Sequence, residues 1–96
     1  MKRDGGWIEL VEPRARAPVA RAHLMVDRVE AQGWHAELAS LRLAPGRSSL
    51  DPGHYIARYA RGEAHVVDLD LSPVGAGVRC DDGELPAALR EVSEGE

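Results

Sequence analysis

Residues 54–80 read HYIARYARGEAHVVDLDLSPVGAGVRC, and this stretch carries the clearest structural signal in the chain. Two turn signals divide it into three short segments rich in β-branched and aromatic residues. Arg61-Gly62 marks the first turn. A two-residue loop there would set Tyr55 and Tyr59 on the side of Asp68 and Asp70. A three-residue loop, with Gly62 left-handed and a G1 bulge, pairs Tyr59 with Glu63 and groups the tyrosines with Val67, Leu69 and Leu71. A slip of one residue sends every side chain to the opposite side, so the segregated register is expected. Ser72-Pro73-Val74-Gly75 has the residues of a type I turn, and it pairs Leu71 with Ala76, Leu69 with Val78 and Val67 with Cys80. Three antiparallel strands result. One face holds Tyr55, Ala57, Tyr59, Val67, Leu69, Leu71, Ala76, Val78 and Cys80, and the other holds His54, Ile56, Arg58, Val66, Asp68, Asp70, Gly77 and Arg79.

Upstream, APGRSSLDPG (44–53) is a loop by composition. Trp34–Leu43 alternates as a strand as far as Leu38, and Leu41 and Leu43 then change parity, so a strand here needs a bulge near Ala39-Ser40. In residues 18–32, Pro18 suits a first helical turn and Gly33 a helix end. Between them Val19, Ala22, Met25, Val26 and Val29 follow i, i+3, i+4, i+7 spacing, which predicts a helix with Leu24 nearly opposite its buried stripe. Trp7–Val11 is a short strand stopped by Glu12-Pro13. Downstream, Asp81, Asp82 and Glu84 precede Pro86, and Leu85, Leu89 and Val92 predict a short helix near 84–92. The expected fold class is therefore α+β: a mostly antiparallel sheet, the 54–80 meander extended by strands near 7–11 and 34–43, with the helix 18–32 across its apolar face. A single domain spanning 1–96 is expected, frayed at 1–5 and 93–96. The order helix, three strands, helix is similar to that of the double-stranded RNA-binding domain, but the last helix here has acidic flanks where such a domain bears a basic cluster.

The 96 residues suffice for one modest core, and with no Phe that core is aliphatic and small-residue-rich. Net charge is −4, unevenly spread: residues 1–48 carry eight Lys/Arg against six Asp/Glu, and residues 49–96 carry four against ten. The acidic second half argues against wholesale wrapping by nucleic acid. Cys80 is the sole cysteine, which excludes an intrachain disulfide and suits a reducing compartment. No apolar run approaches the roughly 18 residues of a membrane span, and no signal-peptide pattern follows MKRDGGW, so a cytoplasmic, membrane-free location is expected.

The expected pairing puts His54, Asp68 and Arg79 in one cross-strand row. With Arg58 and Asp70 they form a polar sheet face suited to docking a partner. A histidine beside a carboxylate is also the pairing that orients a general base, which makes His54 and Asp68 a second alternative as a small enzyme site. Asp68 and Asp70, two apart on a strand, lack a third ligand. The i, i+4 pair His23–Asp27 reads as an ordinary helical surface pair. His65 and Cys80 meet at one end of the apolar face, where a small core cysteine is expected. No metal and no cofactor is called for. Arg14, Arg16, Arg21 and Arg28 form a candidate basic strip along the linker and helix, and nucleic-acid binding through it is the first alternative. The main expectation is a small non-enzymatic accessory protein of bacterial or phage type that binds a protein partner or a second copy of itself.

Overall fold

The computed structural model describes residues 6–59, 62–72, 75–86 and 89. Apart from the single helical residue Leu89, no helix is formed among them. Six strands, β1 (Gly6–Val11), β2 (Pro18–Val29), β3 (Trp34–Leu43), β4 (Gly53–Arg58), β5 (Ala64–Ser72) and β6 (Gly75–Cys80), close into an antiparallel barrel in the order β1-β2-β3-β6-β5-β4. The α+β expectation is overturned, and the element that overturns it is β2.

Residues 18–29 form a 12-residue strand instead of a helix. The helical stripe and the buried set agree at Val19, Ala22 and Val26 and part at the residues that tell the two templates apart: Val29 is 52% exposed, whereas Leu24, set opposite that stripe, is fully buried. The decisive pattern has period two. Ala20, Ala22, Leu24 and Val26 point into the barrel, and Arg21, His23, Met25 and Asp27 alternate with them. Two alanines satisfy either template, and Pro18 suits a first strand residue as well as a first helical turn. Neighbours settle the matter. As a strand, β2 satisfies its backbone groups against β1 on one side and β3 on the other.

Extra residues bend the strands enough to close. Val11 pairs with Pro18 and Leu10 with Ala20, so Val19 is inserted, and both Val19 and Ala20 are buried. Asp27 is a second insertion in β2, between the pairs Val26–Ala36 and Arg28–His35. Ala39 is inserted in β3, between Ser40, opposite His23, and Leu38, opposite Leu24. That is the bulge the parity change at Leu41 requires, and it returns Leu41 and Leu43 to the side of Ala22 and Ala20. Bulges increase local twist, and a barrel this small needs it.

The meander forms in the expected register. Tyr55 faces Val67 and Arg58 faces Ala64, the Tyr59 N–H donates to the Glu63 carbonyl at 2.9 Å, and Gly62 has φ +93°. Leu69 pairs with Val78 and Leu71 with Ala76. The centre of the second turn, at 73–74, lies outside the described residues, as do the expected frayed ends. Most of the helix expected near 84–92 lies there too; of its described residues, Glu84–Pro86 are not helical and Leu89 is.

The apolar face of the meander does not meet a helix. It meets the apolar faces of β1, β2 and β3 across the barrel interior, in one cluster running from Ile8 and Leu10 through Leu24, Trp34 and Val67 to Val78 and Leu89. No polar or charged residue is buried among the described residues. Each fully buried Leu or Ile contributes ~1.5–3 kcal/mol by leaving water. The chain after β6 turns back beneath the barrel, where the Gly83 N–H donates to the Gln32 carbonyl at 2.9 Å and Leu89 is fully buried. Gly33 is required in this closure, because a Cβ there would collide with the Cys80 carbonyl oxygen.

Candidate functional site

With the interior apolar, charged chemistry is confined to the outside, and strand alternation sorts it into two cross-strand rows. The first crosses β4, β5, β6 and β3 through the pairs His54–Asp68, Asp68–Arg79 and Arg79–His35. His54 Nδ1 is paired with one oxygen of Asp68, and Arg79 lies 3.4 Å from the other. Arg79 also reaches Asp81 at 3.1 Å and Asp70 at 3.6 Å. These carboxylates, Asp81 foremost, raise the guanidinium pKa above its usual value. Three carboxylates around one arginine leave the neighbourhood negative.

The row continues into a cleft of about 240 Å³ walled by Asp27, His35, Glu37 and Asp70, with Gly75, Ala76 and Gly77 as its remaining lining. The bulge at Asp27 and the adjacent strand β3 bring the Asp27 carboxylate 2.7 Å from His35 Nδ1. Gly77 lies close beneath that ring: a Cβ on it would stand 3.1 Å from His35 Nε2 and 3.0 Å from the Ala36 carbonyl oxygen, so a larger residue would press on both. No three His, Cys, Asp or Glu side chains among the described residues are grouped closely enough to hold a metal ion.

The second row lies on the other arc. Arg58, Glu9, Arg21 and Arg42 are successive partners across β4, β1, β2 and β3. Arg58 pairs with Glu9 at 3.5 Å. Among the described residues, Arg21 and Arg42 make no ion pair. Beside this row Trp7 is 42% exposed, stacked on His23 at 5.0 Å between ring centroids, with the Arg21 guanidinium 5.5 Å from the indole centroid. A cleft of about 370 Å³ is lined by Trp7, Ile8, Glu9, Arg21, Arg58 and Tyr59. A second, of about 220 Å³, includes Glu9, Arg21, Arg42, Pro18, Leu43 and Pro45 in its walls. The two share Glu9 and Arg21.

Of the residues singled out from sequence, His54, Asp68, Asp70 and Arg79 therefore stand together, while Arg58 belongs to the opposite row. Arg21 is in that row, and Arg14 and Arg16 are exposed in the β1–β2 connection, where Arg16 takes a left-handed φ of 55°. Arg28 sits at the far end of β2, paired with Glu30 at 3.3 Å. The strip read along a helix thus loses Arg28 and gains Arg42 and Arg58. The pair His23–Asp27 dissolves as well, since His23 stacks on Trp7 and Asp27 binds His35. Trp7, Glu9, His35, Glu37 and Arg42 were not legible as site residues, because their alignment depends on β2 being a strand and on the closing pairs β1–β4 and β3–β6, and Asp27 was read only in a helical surface pair. In β2, the alternation of Arg21, His23 and Met25 with small apolar residues was the available signal.

At the base of the interior, Tyr59 and His65 have ring centroids 5.7 Å apart. A Cβ on Gly83 would stand 3.2 Å from both Cys80 Sγ and His65 Cδ2, so His65 and Cys80 are indeed neighbours. Trp34 Nε1, Tyr59 Oη and His65 Nδ1 are buried there without hydrogen-bond partners among the described residues. Burial pushes the Tyr59 phenol pKa well up, with Cys80 and Glu63 adding to the shift.

The chain matches no protein-family model, no curated protein and no solved structure.

Proposed function

We propose that this is a non-enzymatic binding protein that docks a basic segment of a partner protein on the outer face of β5, β6 and the adjoining end of β3. The observation that carries the reading is the acidic cleft. Asp27, Glu37 and Asp70 surround a recess floored by glycine, of a size for one Lys or Arg side chain. Arg79, crowded by Asp68, Asp70 and Asp81, leaves that side with surplus negative charge. Such a surface speeds and orients the approach of a cationic partner more than it deepens affinity. The preformed contacts Asp27–His35 and His54–Asp68 hold carboxylates in place before binding, which reduces the ordering cost.

The test is titration calorimetry with a lysine- and arginine-rich peptide and a charge-neutral peptide of equal length. The basic peptide should bind, its affinity should fall as salt rises, and Asp27→Asn with Asp70→Asn should weaken it at least tenfold. Equal binding of the two peptides would remove the reading. Sedimentation at rising protein concentration separates a foreign partner from a second copy, whose Arg21–Arg42 row offers the same charge.

A further inference from the structure

We infer that the opposite arc of the barrel is a binding groove for single-stranded nucleic acid, with Trp7 as the base platform and Arg58, Arg21 and Arg42 as the phosphate contacts. The groove is independent of the acidic cleft and shares no lining residue with it.

Three observations converge. The first is charge. Arg58, Glu9, Arg21 and Arg42 form a row of three cations and one anion, and Glu9 is engaged by Arg58 alone among the ion pairs of the described residues. With strands spaced about 4.8 Å apart, the row spans roughly 14 Å across the barrel, the reach of a short run of phosphates. Arg14 and Arg16, exposed in the connection between β1 and β2, add positive charge along the strands from the middle of the row. The second is the aromatic surface. A tryptophan left 42% exposed on a protein with only four aromatics, already stacked on His23, offers a flat shelf on which an unpaired base continues the stack. The third is shape. Two clefts meet at Glu9 and Arg21, one bounded by the Trp7 indole and the other by Pro18, Leu43 and Pro45.

These features select a single strand over a duplex. In a duplex the base faces are stacked on one another and cannot reach Trp7, and a convex barrel wall offers no helix or ribbon to enter a major groove. They also select it over an acidic peptide, which uses the arginines but has no need of the indole. Arginine is suited to this use because its fork binds phosphate oxygens bidentately and its plane stacks on rings.

The experiment is fluorescence anisotropy with a labelled oligodeoxythymidylate of ten nucleotides, on the full chain at low salt. Binding should weaken with salt along a log–log slope of about −2, the value for roughly three phosphates on a single strand. Trp7→Ala should lose roughly 5- to 150-fold in affinity while Trp7→Phe retains most of it. Arg42→Gln should make the salt slope shallower by about 0.7. Arg28→Gln, on the far side, should leave binding unchanged. Circular dichroism on each variant verifies that the barrel is intact; should Trp7→Ala unfold, Trp7→Phe against Trp7→Leu carries the same comparison. No binding by the parent protein would overturn the proposal. So would equal competition by a duplex of the same length. Competition by poly-glutamate with an unchanged Trp7→Ala variant would assign the groove to acidic peptides instead, and equal losses in Arg28→Gln and Arg42→Gln would reduce it to diffuse charge attraction.

Discussion

The middle of the barrel and its base are built from the same six strands on different terms. In the middle, Ile8, Leu10, Ala22, Leu24, Ala57, Val67, Leu69 and Val78 interdigitate as an aliphatic layer, all 2% exposed or less. At the base, Trp34, Tyr59 and His65 bring polar atoms into the interior and leave them without partners among the described residues, beside Cys80. The aliphatic layer gains by every atom it hides. The base gives part of that gain back, because a buried polar atom without a hydrogen bond costs about 1–3 kcal/mol. Stability is thus concentrated in the middle, and the base is where the protein departs from its own optimum.

The largest expected effect breaks the middle layer. Leu24→Ala should cost ~2–5 kcal/mol in denaturant unfolding, since Leu24 is fully buried in the barrel core and its removal leaves a cavity there. A loss below 1 kcal/mol would contradict the inward orientation of β2. A smaller effect of opposite sign is expected at the base. Tyr59→Phe removes a buried hydroxyl with no partner, so stability should be unchanged or higher by up to ~2 kcal/mol. The same substitution has a pH signature. In the unfolded chain Tyr59 ionises near its ordinary 10.0, and burial holds the folded phenol protonated well above that. Its contribution is therefore complete below about pH 10 and lost as pH rises beyond it, and Tyr59→Phe should flatten that part of the alkaline stability profile. The smallest effect is Val29→Ala. At 52% exposure it should change stability by no more than about 0.5 kcal/mol, where a helical stripe would have made it a core position.

These contrasts mark how far the sequence can be read. The hairpin registers were legible because turn chemistry and apolar alternation agreed independently: Gly62 supplied the left-handed residue, and the pairs Tyr55–Val67 and Leu69–Val78 followed. The Ala39 bulge was legible from one change of parity in β3. β2 was not, because Ala20 and Ala22 carry too little hydrophobic contrast to reveal period two, and Val19, Ala22, Val26 and Val29 happen to satisfy the helical spacing also. Its two insertions, at Val19 and Asp27, blur the alternation further. Much of the two surface sites was lost with β2. The row His54–Asp68–Arg79 lay wholly within strands whose register was readable, but the partners of Arg21 follow only from β2 being a strand, and Arg58 meets Glu9 and His35 meets Arg79 through strands made adjacent only by closure.

That closure has a consequence of another kind. The ring order β1-β2-β3-β6-β5-β4 is unchanged when the first three strands are exchanged with the last three, so the barrel is two like meanders joined face to face. Within each meander neighbours are linked by short connections, while the seams β1–β4 and β3–β6 join distant parts of the chain through short ladders. Residues 44–52 are the sole covalent link between the halves. Two molecules that opened at the seams and straightened this connection would each find in the other the half it had released. A dimer formed by such an exchange of halves would repeat the closed barrel's own contacts, and the length of one surface loop would then govern whether the chain closes on itself or on its neighbour.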